Sequence, residues 1–160
     1  MPLYRQGDGI GVPAVDETDA PLQIGMTVEK FRPAKETIDE IANGLAERAK
    51  KVRRLELVGE ETVEAVELSD GTAASLLTVE FIKDGSRRSL QMKLVAKDPN
   101  GNVWIASGQL VGGKESKWPT ADSDLADWLK AHLTSFCLDP EKFDAEKIQA
   151  AYVKRDESNR

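Results

Sequence analysis

The side chains in this sequence best suited to covalent chemistry are its single histidine, His132, and its single cysteine, Cys137. A thiol beside an imidazole is a minimal nucleophile and base, the imidazole taking the thiol proton. The spacing works against that pairing. Five residues apart on one helix, the two stand about 140° apart around the axis and do not share a face. His132 therefore reads as a core-edge histidine and Cys137 as a buried structural thiol. One cysteine and one histidine also fall short of the ligand set of a zinc site.

Asp98, Asn100 and Asn102 imitate the first three ligands of a calcium loop. The glycine comes too early, at Gly101, and Gln109 stands where the closing bidentate carboxylate is needed, so the segment reads as a hairpin turn. Gly7-Asp8-Gly9-Ile10-Gly11 suggests a phosphate cradle, but Pro13 and the acids Asp16, Glu17 and Asp19 follow it instead of a helix N-terminus. No pair of carboxylates can be nominated as general acid and base. The sequence thus points to no catalytic residue, cofactor or metal site. The tryptophans remain. Trp104 and Trp128 fit core or core-edge positions, whereas Trp118, between a polar loop and Pro119, fits an exposed contact anchor.

The elements that carry these residues centre on Ala73 to Gly112, which reads as three antiparallel strands. Leu77, Val79 and Phe81 share one side of the first. Asp84-Gly85 turns the chain into a strand with Leu90, Met92, Leu94 and Ala96 inward and Ser89, Gln91, Lys93 and Lys97 outward. Asp98-Pro99-Asn100-Gly101 turns it again. The third strand places Val103, Ile105 and Val111 on one side and Trp104, Ala106 and Leu110 on the other, so it sits centrally or beside a covering helix.

Around this meander the pattern predicts helices near 34–54, 120–137 and 140–153. Ile38, Ile41, Ala42, Leu45, Ala49 and Val52 form the stripe of the first helix, which should lie on the sheet. Leu125, Trp128, Leu129, His132, Leu133 and Phe136 form that of the second. Asp139 with Pro140 opens the third. Ile24, Met26 and Val28 alternate in a further strand, and Leu55 to Leu68 gives one bent strand or two short ones. Residues 1–22 read as a surface segment with a short edge strand around Ile10, Val12 and Val15 ended by Pro13. Residues 154–160 read as a charged, fraying tail. The fold class is α+β, an antiparallel sheet of about six strands flanked by helices, in a single domain spanning 1–160.

A net charge of −6 argues against nucleic acid or an anionic membrane surface as the main partner. Bases at the end of the first helix (Lys50, Lys51, Arg53, Arg54) and acids at its start answer the helix dipole instead. No apolar run is long enough to span a bilayer, and the first residues lack a secretory pattern. The expected location is cytoplasmic, with the cell envelope as the alternative if an export signal once preceded Met1.

The order of elements resembles the PsbP-like superfamily of small α/β domains over most of residues 4–136. The likeness rests on Tyr4 before a strand closed by Val12-Pro13, on the meander with Ser89-Leu90-Gln91-Met92 in its middle strand, and on a helix ending Leu133-Thr134-Ser135-Phe136. Ala14 and Val15 stand where the family often has a tryptophan. The resemblance implies an antiparallel sheet flanked by helices and, with few exceptions, no enzymatic activity. Its members include photosystem assembly factors, envelope lipoproteins, and Eag-type chaperones that bind apolar N-terminal segments of secreted effectors and are commonly dimeric. The expectation is a protein-binding or accessory module, a chaperone or adaptor linked to secretion, with a homodimer as one assembly. Trp104, Leu110 and Trp118 are its candidate partner contacts. The alternatives are an envelope accessory domain and a small-molecule carrier with a pocket between sheet and helix.

Overall fold

The computed structural model describes residues 9–15, 21–52, 55–83, 85, 87–112, 120–121, 123–142 and 146. Among the described residues, seven strands and two α-helices follow one another as β1 (Gly9–Val15), β2 (Pro21–Pro33), α1 (Ile38–Lys50), β3 (Leu55–Leu57), β4 (Thr62–Glu67), β5 (Ala73–Lys83), β6 (Arg87–Lys97), β7 (Asn102–Gly112) and α2 (Asp124–Thr134). Pro140–Lys142 forms a 3-10 turn, in which Asp139 accepts from the Glu141 amide at 3.2 Å. The remainder of the expected third helix lies almost wholly outside the described residues, as do residues 1–8, the loop that carries Trp118, and the tail.

All pairings are antiparallel, in the order β1-β2-β7-β6-β5, with β3 and β4 both on the far side of β5. Seven strands therefore fill six positions. The segment Leu55 to Leu68 is two short strands because it breaks at Gly59, whose φ of +78° excludes a regular strand. Strand β1 is the edge strand expected, but it runs through Pro13 to Val15. An outer strand tolerates the missing amide hydrogen of a proline.

The strand that was expected to be central, β7, lies between β2 and β6. Its even-numbered residues face α2. Ala106 and Leu110 are 4% and 0% exposed, in one cluster with Ile24, Leu90, Met92, Leu94, Leu129 and Leu133. This corrects the reading of Leu110 as a partner contact, because the chain's own α2 covers that face. The covering is close. A Cβ added at Gly108 would stand 2.4 Å from Leu129 Cδ1 and 2.9 Å from its Cγ, so glycine is what lets the helix reach the strand.

Odd-numbered strand residues face α1, which begins at a Thr37–Glu40 capping box and starts four residues later than its stripe suggested. Its stripe packs on the sheet as expected. Ala42 joins Val95 and Val103, and Ala46 joins Leu77, Val79 and Phe81. The helix ends at Lys50, whose ammonium meets Glu47 at 2.9 Å and Glu61 at 2.5 Å. Beyond it, Val52 is exposed rather than part of the apolar stripe.

The β4–β5 turn fastens the chain beyond α2. Ser69 donates through its hydroxyl to the carbonyls of Ser135 and Phe136, both at 3.0 Å. Asp70, 8% exposed, accepts from the amides of Leu138 and Asp139 at 2.8 Å and of Thr72 at 2.9 Å. Burial pushes its pKa up, but the hydrogen bonds from Thr72, Asp139 and Leu138 outweigh that and hold it at about 2 against an ordinary 3.8.

Two outcomes are expected. Because the Asp70 pKa is lowered on folding, its stabilisation is complete above pH 3.8 and disappears as the pH falls through about 2. The urea-unfolding free energy of the native chain should therefore exceed that of Asp70→Asn at pH 7 by about 2 kcal/mol, and the gap should shrink toward pH 2. Gly108→Ala should cost about 1–3 kcal/mol by overpacking, and less when Leu129 is first shortened to Ala. An equal cost in both backgrounds would show that the helix contact is not the reason for the glycine.

Candidate functional site

Lys97, at the end of β6, reaches over to the segment before α1 and donates to the carbonyls of Ala34 at 2.9 Å and Glu36 at 2.6 Å. The helix is thereby started over the β6–β7 end of the sheet. It then crosses toward β5, as the shift from the Ala42 cluster to the Ala46 cluster shows. Ser75 on β5 donates to Asp39, a second tie on that side. Strand β2 and the Ile105–Ser107 part of β7 are consequently left beside the helix rather than beneath it.

What remains is an open groove of about 490 Å³ between α1 and this half of the sheet. Its floor is Val103, Ile105 and Ser107 of β7, with Lys93 of β6 on one side and Glu29 and Phe31 of β2 on the other. The wall is the flank of α1, with Glu40, Ile41, Gly44, Leu45 and Arg48. Arg32, Ala34 and Glu36 close the end nearest the helix start. Phe31 is 39% exposed there, one of two large hydrophobic side chains left that open among the described residues. An exposed phenylalanine beside a depression with an apolar floor is a feature of contact sites.

Gly44 is the least expected residue of the wall. Glycine within a helix costs roughly 0.5–1 kcal/mol against alanine, and packing does not require it here, since an added Cβ would meet no atom within 4 Å. The bare backbone faces the groove.

The charged groups of the groove are unevenly engaged. Glu40 Oε2 accepts from the Thr37 amide at 2.9 Å. Among the described residues, Arg32, Arg48, Lys93 and Glu29 form no ion pair.

Of the residues named from the sequence, Trp104 and Leu110 fall elsewhere. Trp104 lies on the α2 face of β7, half-buried, with Lys30 Nζ 5.4 Å from its ring centre. Its indole N–H donates to Asp98 Oδ2 at 3.0 Å. Leu110 is sealed beneath α2, and Trp118 is outside the described residues. Neither Trp104 nor Leu110 lines the groove. Asp98 accepts as well from the amides of Asn100 at 2.9 Å and Asn102 at 3.0 Å and from the Asn102 side chain. Burial raises its pKa, and the bonds from Trp104, Asn102 and Asn100 prevail and lower it. Its oxygens are thus occupied by the hairpin turn that the glycine position indicated.

His132 and Cys137 have separate partners. The imidazole lies 3.9 Å from the Trp128 ring, with Nδ1 3.0 Å from the Trp128 carbonyl. The thiol donates to the Asp139 carbonyl at 3.0 Å. Burial and the negative charge of Asp70 push the thiol pKa up, away from the thiolate a nucleophile needs. No three or more His, Cys, Asp or Glu side chains converge as metal ligands among the described residues, and no helix among them is long and apolar enough to cross a membrane.

The groove had two traces in the sequence, the glycine in the middle of a helical stripe and the polar, charged alternate positions of β6. Neither says which flank of a helix stays open. That depends on the line α1 takes over the sheet, to which Lys97 contributes across 61 residues of chain.

No protein-family model matches the sequence, and no curated protein matches it. Several solved structures match, two among them at low identity. One is LpqN of Mycobacterium tuberculosis, described as involved in cell envelope biogenesis, at 16% identity and a TM-score of 0.46 over 78% of this chain and 66% of that one. This chain therefore spans slightly under two thirds of its length. The other is CalU16 of Micromonospora echinospora, at 12% identity and a TM-score of 0.32 over 94% of each chain. The PsbP-like resemblance gains no family match, and what stands is the α+β arrangement of an antiparallel sheet with helices.

Proposed function

We propose that this chain is a non-enzymatic accessory module that holds a segment of a partner protein in the groove between α1 and the sheet. The observation that carries the reading is Gly44. A helix gives up stability at a position where packing asks for nothing, and the position lines the groove. Bare backbone there lets another chain approach α1 closely. The apolar floor supplies burial for an apolar side chain, and charges of both signs stand along the groove. Its open form suits a passing chain better than an enclosed small molecule.

The PsbP-like resemblance supports this class of role. A secretion chaperone sheltering an apolar segment and an envelope accessory domain would both use such a groove, the first in the cytoplasm and the second in the envelope. The raised thiol of Cys137 and the engagement of His132 by Trp128 support a role without covalent catalysis. The volume, which falls within the range of small-molecule sites, favours a carrier as the second reading.

Substitution of Gly44 tests the proposal. Gly44→Ala should stabilise the chain by about 0.5–1 kcal/mol in urea and weaken binding of peptides selected from a random display library. Gly44→Trp should fill the groove and reduce that binding at least tenfold, while circular dichroism and the thermal midpoint remain near native. Undiminished binding by the tryptophan variant would refute the groove as the site. Native mass spectrometry of the freshly purified chain separates the carrier reading, which requires a bound small molecule that the tryptophan variant lacks.

A further inference from the structure

Strand register gives the groove a direction. Along β7, Ser107 is level with Lys93 of β6, Ile105 with Glu29 of β2, and Val103 with Phe31 of β2. The helix begins near the Val103 level, where Lys97 holds it, and its later turns pack at the level of Leu77, the partner of Lys93 on β5. Arg48 and Lys93 therefore belong to one end of the groove, and Glu36 and Glu40 to the other.

At the acidic end two carboxylates stand at a helix start, although Arg32 there forms no ion pair among the described residues. Glu40 is held by the Thr37 amide, the Lys97 ammonium sits against the Glu36 carbonyl, and the N-terminus of α1 favours negative charge. At the opposite end, among the described residues, Arg48 and Lys93 have no ion pair, and Lys93 has no hydrogen bond although the sheet half-buries it. A lysine stem lies along apolar surface while its ammonium stays accessible, here to an acceptor from outside the chain.

Resting on the groove reading, we infer that Arg48 and Lys93, with the Ser107 hydroxyl, recognise an acidic side chain of the bound protein segment, whose apolar neighbour lies over Ile105 and Phe31. The ammonium and guanidinium offer charge-assisted hydrogen bonds to a carboxylate, and Ser107 adds a neutral donor. Recognition then sets the direction in which the segment lies, its acidic residue at the Lys93 end.

The test is random-peptide display on the full chain, native and as Arg48→Glu/Lys93→Glu, followed by affinities of synthetic copies of the enriched peptides. The native chain should enrich peptides that pair an Asp or Glu with a neighbouring apolar residue, and the charge-reversed chain should enrich Lys or Arg in their place. Lys93→Gln, which retains the strand, should weaken the best acidic peptide about tenfold or more. Lys93→Arg should restore most of that loss, and the native affinity should fall with added salt. Peptides lost on Gly44→Trp but showing no acidic preference and no response to Lys93→Gln would overturn this inference and leave the groove reading standing. Peptides indifferent to Gly44→Trp would overturn both.

Discussion

The Lys97 ammonium, bonded to two carbonyls of the chain that leads into α1, fixes where that helix begins above the sheet. A helix started at this corner and drawn toward β5 by Ala46 among Leu77, Val79 and Phe81 crosses the strands obliquely. It cannot cover β2 and the Ile105–Ser107 part of β7 at the same time as β5. The uncovered triangle follows from that line, and with it the placement of Phe31, Ile105 and Lys93 beside open space. Hydrogen bonds to a charged donor are among the stronger local ties in a folded chain, which suits a contact that sets the position of a whole element.

The two faces of the sheet are built on different terms. On one, α2 descends onto Gly108 with Leu129, and Ala126, Leu129 and Leu133 are buried against the strands almost completely. The β4–β5 turn then ties the chain that leaves α2 through Ser69 and Asp70. On the other, α1 is held at its start and along one flank, and its remaining flank borders the groove. A sealed face provides rigidity, and the half-covered face can present a site without exposing the main core.

Much of the architecture was legible in the residues themselves. The alternation of Leu90, Met92, Leu94 and Ala96, the Asp98 to Gly101 turn, and the stripe through Leu125, Leu129 and Leu133 each state their element locally, because a period of two or of 3.6 is a property of a short window. The apolar second side of β7 was legible too, as the mark of a central strand beside a covering helix, and it was also taken for a partner face. Trp104, Ala106 and Leu110 looked like surplus surface for a partner, and α2, arriving from later in the chain, buries Leu110 and Ala106 while Asp98 and Lys30 occupy Trp104. The extents of α1 and α2 were overstated because caps, Thr37 and Ser123 for their starts, end a helix more sharply than an apolar stripe does. The groove was not legible, since it comes from a crossing angle set by contacts far apart in sequence.

The break between β3 and β4 has a consequence for how the molecule meets its own kind. An unbroken outer strand would offer a continuous ladder of free amides and carbonyls on which a neighbour could build. Here the border beyond β5 is two fragments of three and six residues, and the longer one exposes Glu67, with Glu64 paired to Lys130. Such a border gives an incoming strand too short a template and meets it with like charge, so growth of the sheet into fibrils is discouraged on that side. The opposite border is β1, where Pro13 interrupts the row of donors.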